Sequence, residues 1–336
     1  MATLLADGDQ FALLAIETRS EIMLAPTEML PGLWISSSPP IEMDEFWRDT
    51  LGSHQSDQFE ACTLFALVRG VRSDPDFRVS GARDLWQIWT GLLLAERFGT
   101  DQDPFLIVGN VRGASVEILT VHRLDPARHE AADRYHRLKN QDVERAAEIA
   151  RAIRAYPWIG SPRLNRVLSL YVDARGRLDW MDRIHQYTRC LDGLTIPPMK
   201  GGAGRNFGQR MELLAATSNG PIFRELYDIR GAIEHLREND YTEPFDRGRR
   251  LDLIRKAGIA EFATRASLAR ILESQTLWKT FKTKTDLEGF WSLSAADQQQ
   301  LWGSPIDPTA GIAGFDDNQW ADWELGSGRI PPHTGP

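Results

Sequence analysis

Arg230 and His235 are the pairing in this chain most suited to chemistry, and they stand in the stretch LYDIRGAIEHLREN, residues 226–239. These residue types suit the cleavage of RNA. An imidazole, with an ordinary pKa of about 6.5, moves protons at neutral pH. A guanidinium holds a phosphate through two parallel hydrogen bonds as charge develops on it. RNA carries its own nucleophile, the 2′-hydroxyl, so this chemistry requires no metal.

Spacing alone carries little information. With 33 arginines and 7 histidines in 336 residues, chance gives about 0.7 Arg-x4-His pairs. Helical placement carries more. At about 100° per residue, Leu226, Ile229, Ile233 and Leu236 share one apolar stripe. Arg230 and His235 flank a polar face that also takes Tyr227 and Glu234, with Gly231 between them. A glycine inside a helix costs about 1 kcal/mol against alanine. An approaching phosphate or a facing helix from a second subunit would compensate; a simple helix crossing without chemistry is the other reading.

Other candidates rank lower. His129 and His136 are read as surface histidines on one long helix, and His185, beside the apolar Ile184, as structural. MKGGAGRNFG puts Lys200 ahead of its glycines, with no strand leading in, so it is not a phosphate loop; Lys200 and Arg205 are retained as RNA contacts. Cys62 and Cys190 stand far apart, outside any CxxC pattern, so neither a disulfide framework nor a zinc site is implied. No metal and no cofactor are expected.

The elements that must hold these residues change character along the chain. Residues 1–125 read as a mixed α/β domain. FALLAIE and EIMLAP suggest strands, LPGLWISSSPP a loop, MDEFWRDTLG a short helix and GARDLWQIWTGLLLAERFG a longer one. PFLIVGNVRG and SVEILTVHRL suggest a strand pair. Residues 126–302 read as all-helical, opening with one long Ala-rich helix from Asp125 to Tyr156, and 303–336 as an irregular tail. The predicted fold class is α+β.

The formal net charge of −8 argues against a broad face that grips nucleic acid non-specifically, but not against a small basic site. The first residues lack the basic flank of a signal peptide. The apolar runs fall short of the roughly 18–20 residues a membrane span needs. No membrane association and a cytoplasmic location are expected.

RVLSLYVDARGRLDWMDRIHQYTRCLDGL, then FGQRMELLA, then LYDIRGAIEHL, with LWKTFKTKTDLEGFW closing the series, resemble the Apea-like branch of the HEPN superfamily. The resemblance covers roughly residues 145–292. It implies a helical bundle that dimerises and brings two Arg-His pairs into one cleft. It also implies a metal-independent endoribonuclease that leaves a cyclic phosphate, serving as a toxin or antiviral-defence effector by abortive infection. Arg230 and His235 would be catalytic and Asp192 the acidic supporting residue. The first domain would sense a trigger or inhibitor. The superfamily's ribonucleases commonly carry Asn, Asp or His just after the arginine. This chain has Gly231 there, with Asp228 and Glu234 as the nearest acidic substitutes. Gly231 and the acidic net charge favour an alternative, a non-catalytic HEPN module that binds a partner protein, nucleotide or RNA. A nucleotide-binding protein centred on Lys200 is a third, more distant reading.

Overall fold

The computed structural model describes residues 4–71, 74–113, 115–129, 131, 137–156, 160–196, 202–216, 221–235, 245–322 and 324–325. The chain divides into two compact units. One is Met1–His129 with Arg134–Pro157, the other Glu130–Asp133 with Trp158–Pro336. Helices and a six-stranded antiparallel sheet are both present, so the α+β class holds. Among the described residues no helix is long and apolar enough to cross a membrane.

The first unit is built on the sheet, ordered β2-β3-β4-β1-β5-β6. Its strands are β1 (Asp9–Ile16), β2 (Thr27–Leu30), β3 (Leu33–Ser36), β4 (Leu64–Val71), β5 (Phe105–Arg112) and β6 (Ser115–Arg123). FALLAI is apolar at every position because β1 is buried on both faces. Phe11, Leu13 and Ala15 join Phe59, Phe65 and Phe105 in one core. Ala12 meets Gly81 of α3 (Phe77–Ala95) on the other face. The short helices α1 (Glu45–Leu51) and α2 (Ser53–Glu60) follow the β2–β3 hairpin, and Phe59 of α2 lies in the first of these cores. α4 (Asn140–Ala155) crosses α3 at Gly91, where a Cβ would overlap the carbonyl of Ala146; the close approach requires the glycine.

Three expectations need correction. Residues 21–25 of EIMLAP form no strand; β2 begins at Thr27. The presumed loop LPGLWISSSPP contains β3, entered through Gly32 at φ 76°. In the long helix expected from Asp125, the described residues are helical only from Asn140, and α4 belongs to the first unit, which therefore runs past the boundary at 125. Its early backbone groups are taken by other partners. Thr100 N–H donates to the Ala127 carbonyl, Ala127 N–H to Thr100 Oγ1, and Glu21 N–H to the Leu138 carbonyl. Helix propensity yields to these tertiary hydrogen bonds.

The second unit is helical. α5 (Pro162–Gly176), α6 (Trp180–Thr195), α7 (Ala203–Leu214), α8 (Ile222–Glu234) and the 27-residue α9 (Arg247–Glu273) are followed by α10 (Gln275–Phe281), α11 (Lys284–Ser292) and α12 (Ala295–Trp302). α6 is central and touches α5, α7, α8, α9 and α11. Its core side is Ile184, Tyr187, Leu191 and Leu194. Between α5 and α9 lies a buried charge cluster. Glu261 accepts from Tyr171 Oη at 2.9 Å and from Arg265 Nε at 3.0 Å, and Arg175 stands 3.5 Å away. Burial pushes the Tyr171 hydroxyl well above the usual range, so it stays a donor.

Part of the expected tail belongs to this unit. Residues 308–312 form a 3-10 turn whose Gly311 meets the backbone of Gly258 on α9, too closely for a Cβ on either side. Ile306 N–H donates to the Leu214 carbonyl, and Trp320 and Leu325 are buried. Pro308 and Gly311 therefore serve close packing.

Candidate active-site cleft

α8 is anchored by Phe223, Leu226 and Ile229, which are buried; Ile233 is half-buried and Leu236 lies outside the described residues. The helix ends at Glu234. His235 is its C-cap, with φ −101° and ψ 10°, and donates its N–H to the Gly231 carbonyl at 3.2 Å. The histidine thus sits at a helix end and is exposed, where the sequence suggested mid-helix.

Arg230 and His235 line one open cleft of about 850 Å³ in the helical unit. α8 also contributes Tyr227, Gly231 and Glu234 to it. α5 contributes Arg163, α6 Asp192 and its C-cap Ile196, α7 Arg210, and α11 Lys284, Glu288 and Trp291. Among the described residues a Cβ on Gly231 would meet nothing within 4 Å, so they leave the space over the glycine open. The wall near Ile196 is fixed from two sides. Ile196 takes the left-handed backbone at φ 38°, Arg210 donates to the Thr195 and Ile196 carbonyls, and Trp291 Nε1 donates to Leu194 O at 3.2 Å.

Arg230 does not stand free. Its guanidinium is 3.3 Å from Asp192 and 3.2 Å from Glu234, and lies over the Tyr227 ring at 5.1 Å. Glu234 also approaches His185 Nε2 at 3.4 Å, which links α6 and α8 through one carboxylate. Burial raises the Asp192 pKa above the usual carboxylate range, and Glu234 adds to this, while Arg230, Arg163 and Arg189 oppose it. Burial lowers the His185 pKa. The Glu234 carboxylate beside it opposes that shift, and Arg189 and Arg230 reinforce it. Asp192 Oδ1 and Arg230 Nε are buried without a partner among the described protein atoms.

Of the residues chosen from sequence, the structure gathers Arg230, His235, Asp192, Gly231 and Glu234 at the cleft. Asp228 is exposed and lines no part of it. Arg205 lines a separate hollow of about 210 Å³ beside Arg224 and Glu212. Lys200 and His136 lie outside the described residues. His129 is not on a helix and lies 3.8 Å from Asp101. Sequence reasoning read His185 as structural and did not single out Arg163, Arg210 or Lys284. His185 had a usable signal: it precedes Asp192 by seven residues, two helical turns, so the two share a face. The others come from three different helices and left no local signal. Among the described residues, no three of His, Cys, Asp and Glu converge as metal ligands would.

No family model, no curated protein and no solved structure matches the chain.

Proposed function

We propose that the helical unit is a metal-independent endoribonuclease of the HEPN type, with Arg230 and His235 as its reactive pair. The observation that carries this reading is their convergence on one cleft. It is lined by Arg163, Arg210, Arg230 and Lys284 against Asp192, Glu234 and Glu288, in a chain whose net charge is −8. Local cations of this kind suit a polyanion that the chain as a whole would repel.

In the reaction, His235 removes the proton of a 2′-hydroxyl, whose oxygen attacks the adjacent phosphorus. The bond to the 5′-oxygen breaks, and that oxygen takes up a proton. The products are a 2′,3′-cyclic phosphate and a 5′-hydroxyl. Arg230 exchanges a carboxylate partner for the phosphate and stabilises the charge that gathers on its oxygens. A homodimer placing two such clefts face to face would supply a second histidine as proton donor to the leaving oxygen. In the cell this activity fits a toxin or antiviral effector restrained or triggered through the first unit.

The purified full-length chain, incubated with RNA in the presence of a chelator, is expected to release fragments with cyclic-phosphate ends. His235→Ala should slow this by about 10²–10⁴, the usual contribution of a general acid or base. A folded His235→Ala protein that cuts at the wild-type rate overturns the assignment. One observation favours a second reading, an RNA- or partner-binding module without catalysis: Arg230 is held by two carboxylates. Intact RNA after prolonged incubation with the wild-type chain would decide for it.

A further inference from the structure

A second opening of about 440 Å³ adjoins the Arg230 cleft and shares Arg163, Asp192, Arg230 and Glu234 with it. Its other walls add Arg166 from α5 and Arg189 from α6. Arg163 donates to the Gly193 carbonyl at 3.2 Å, and Arg189 to the Gln186 side chain at 3.3 Å. Among the described residues, none of Arg163, Arg166 and Arg189 makes an ion pair with a carboxylate, whereas Arg48, Arg69, Arg112, Arg154 and Arg177 each do. The chain has 47 acidic residues, so acids are plentiful. Four arginines, Arg230 among them, line this opening against two carboxylates, Asp192 and Glu234, and the excess positive charge costs electrostatic free energy that an anionic ligand offsets.

We propose that Arg163, Arg166 and Arg189 form a phosphate-backbone subsite for single-stranded RNA, holding nucleotides that flank the bond cut at Arg230 and His235. The proposal rests on the ribonuclease reading of the adjoining cleft. Two features select RNA over an acidic peptide. A strand laid over Arg230 must leave the cleft on one side, and Arg163, common to both openings, links the cations of the cleft to Arg166 and Arg189 on this side. All three residues are arginine, whose planar fork matches phosphate oxygens in pairs.

The test uses the full-length His235→Ala chain, so that RNA stays intact, with a fluorescein-labelled uridine dodecamer read by anisotropy over a range of salt concentrations. Each neutralised phosphate on a single strand contributes about 0.7 to the slope of log affinity against log salt. Arg166→Gln/Arg189→Gln should therefore reduce that slope by about 1.4. Arg166→Lys/Arg189→Lys, which keeps both charges, should retain it and excludes misfolding as the cause. Arg112→Gln/Arg137→Gln removes the same charge from the first unit and should leave the slope unchanged. The proposal is overturned by an unaltered slope in the Gln pair or an equal fall in the first-unit control. It is also overturned by absence of dodecamer binding, or by a polyglutamate peptide that displaces the dodecamer as well as unlabelled dodecamer does. Failure of the ribonuclease reading looks different: the wild-type chain would bind with the arginine-dependent slope and leave RNA uncut.

Discussion

Replacing Gly231 with alanine separates two roles that a glycine can play in α8. An alanine Cβ there would meet no atom of the described residues within 4 Å, so the change has no steric cost against them. Alanine is about 1 kcal/mol better than glycine inside a helix. Gly231 lies three residues before the last helical residue, Glu234, where fraying halves the benefit to about 0.5 kcal/mol. For a domain of about 150–250 residues, 1 kcal/mol moves Tm by about 2–4 °C, so Gly231→Ala should raise the Tm of the helical unit by about 1–2 °C. The methyl group would stand on the open floor of the cleft, between Arg230 and His235. If a phosphate approaches the backbone there, kcat/KM for RNA should fall about tenfold, which is about 1.4 kcal/mol of transition-state binding, while stability rises. Calorimetry of the full-length chain and initial cleavage rates measure the two effects. A lower Tm would refute the steric argument. A raised Tm with unchanged kcat/KM would show that no phosphate contacts this position.

Two further perturbations follow from buried charge. Glu261→Ala removes the carboxylate between Arg175 and Arg265 and the acceptor of Tyr171; urea unfolding should show a loss of about 3–5 kcal/mol, and a loss under 1 kcal/mol would show that the cluster relaxes without cost. Burial lowers the His185 pKa, so the unfolded chain binds the proton first as pH falls, and stability declines once pH drops below the unfolded value of about 6.5. His185→Gln should flatten that decline in Tm between pH 7 and pH 5, and an unchanged slope would assign it to other groups.

The sequence made some elements legible because local rules agreed with tertiary ones. FALLAI is apolar throughout and pairs on both edges; Asp44 and Gly52 bound α1 as a capping acid and a stop glycine. It failed where long-range hydrogen bonds outweighed propensity. Residues 124–129 resemble the start of a helix, but their backbone pairs with Thr100 instead. The final segment resembles a tail, yet the pairing of Gly258 with Gly311 is an approach that only glycines permit, and periodicity does not report it. The site divides in the same way. Arg230 and Glu234 share one helix with His235 as its C-cap, so their closeness could be read from a wheel. Arg163, Arg210 and Lys284 come from α5, α7 and α11, and only the folded chain brings them to the cleft.

The acidic chain and the cationic cleft are compatible because charge acts over short distances in saline. The screening length is about 8 Å at physiological ionic strength. A phosphate at Arg230 therefore feels the cleft's own cations strongly and most of the 47 acidic residues weakly. Nearby carboxylates are a different matter. Asp192 and Glu234 hold Arg230 within 3.3 Å and 3.2 Å, and a phosphate must displace at least one of them. Among the described residues Asp192 pairs with Arg230 alone, and burial penalises its charged form, so its pKa stays raised even there. Glu234 is tied to His185 as well as to Arg230, and it is suited to keep the guanidinium oriented while the phosphate takes the place of Asp192. Under the proposed ribonuclease reading the two carboxylates would differ in role: Asp192 would yield its place at Arg230 to the phosphate, and Glu234 would keep the arginine positioned.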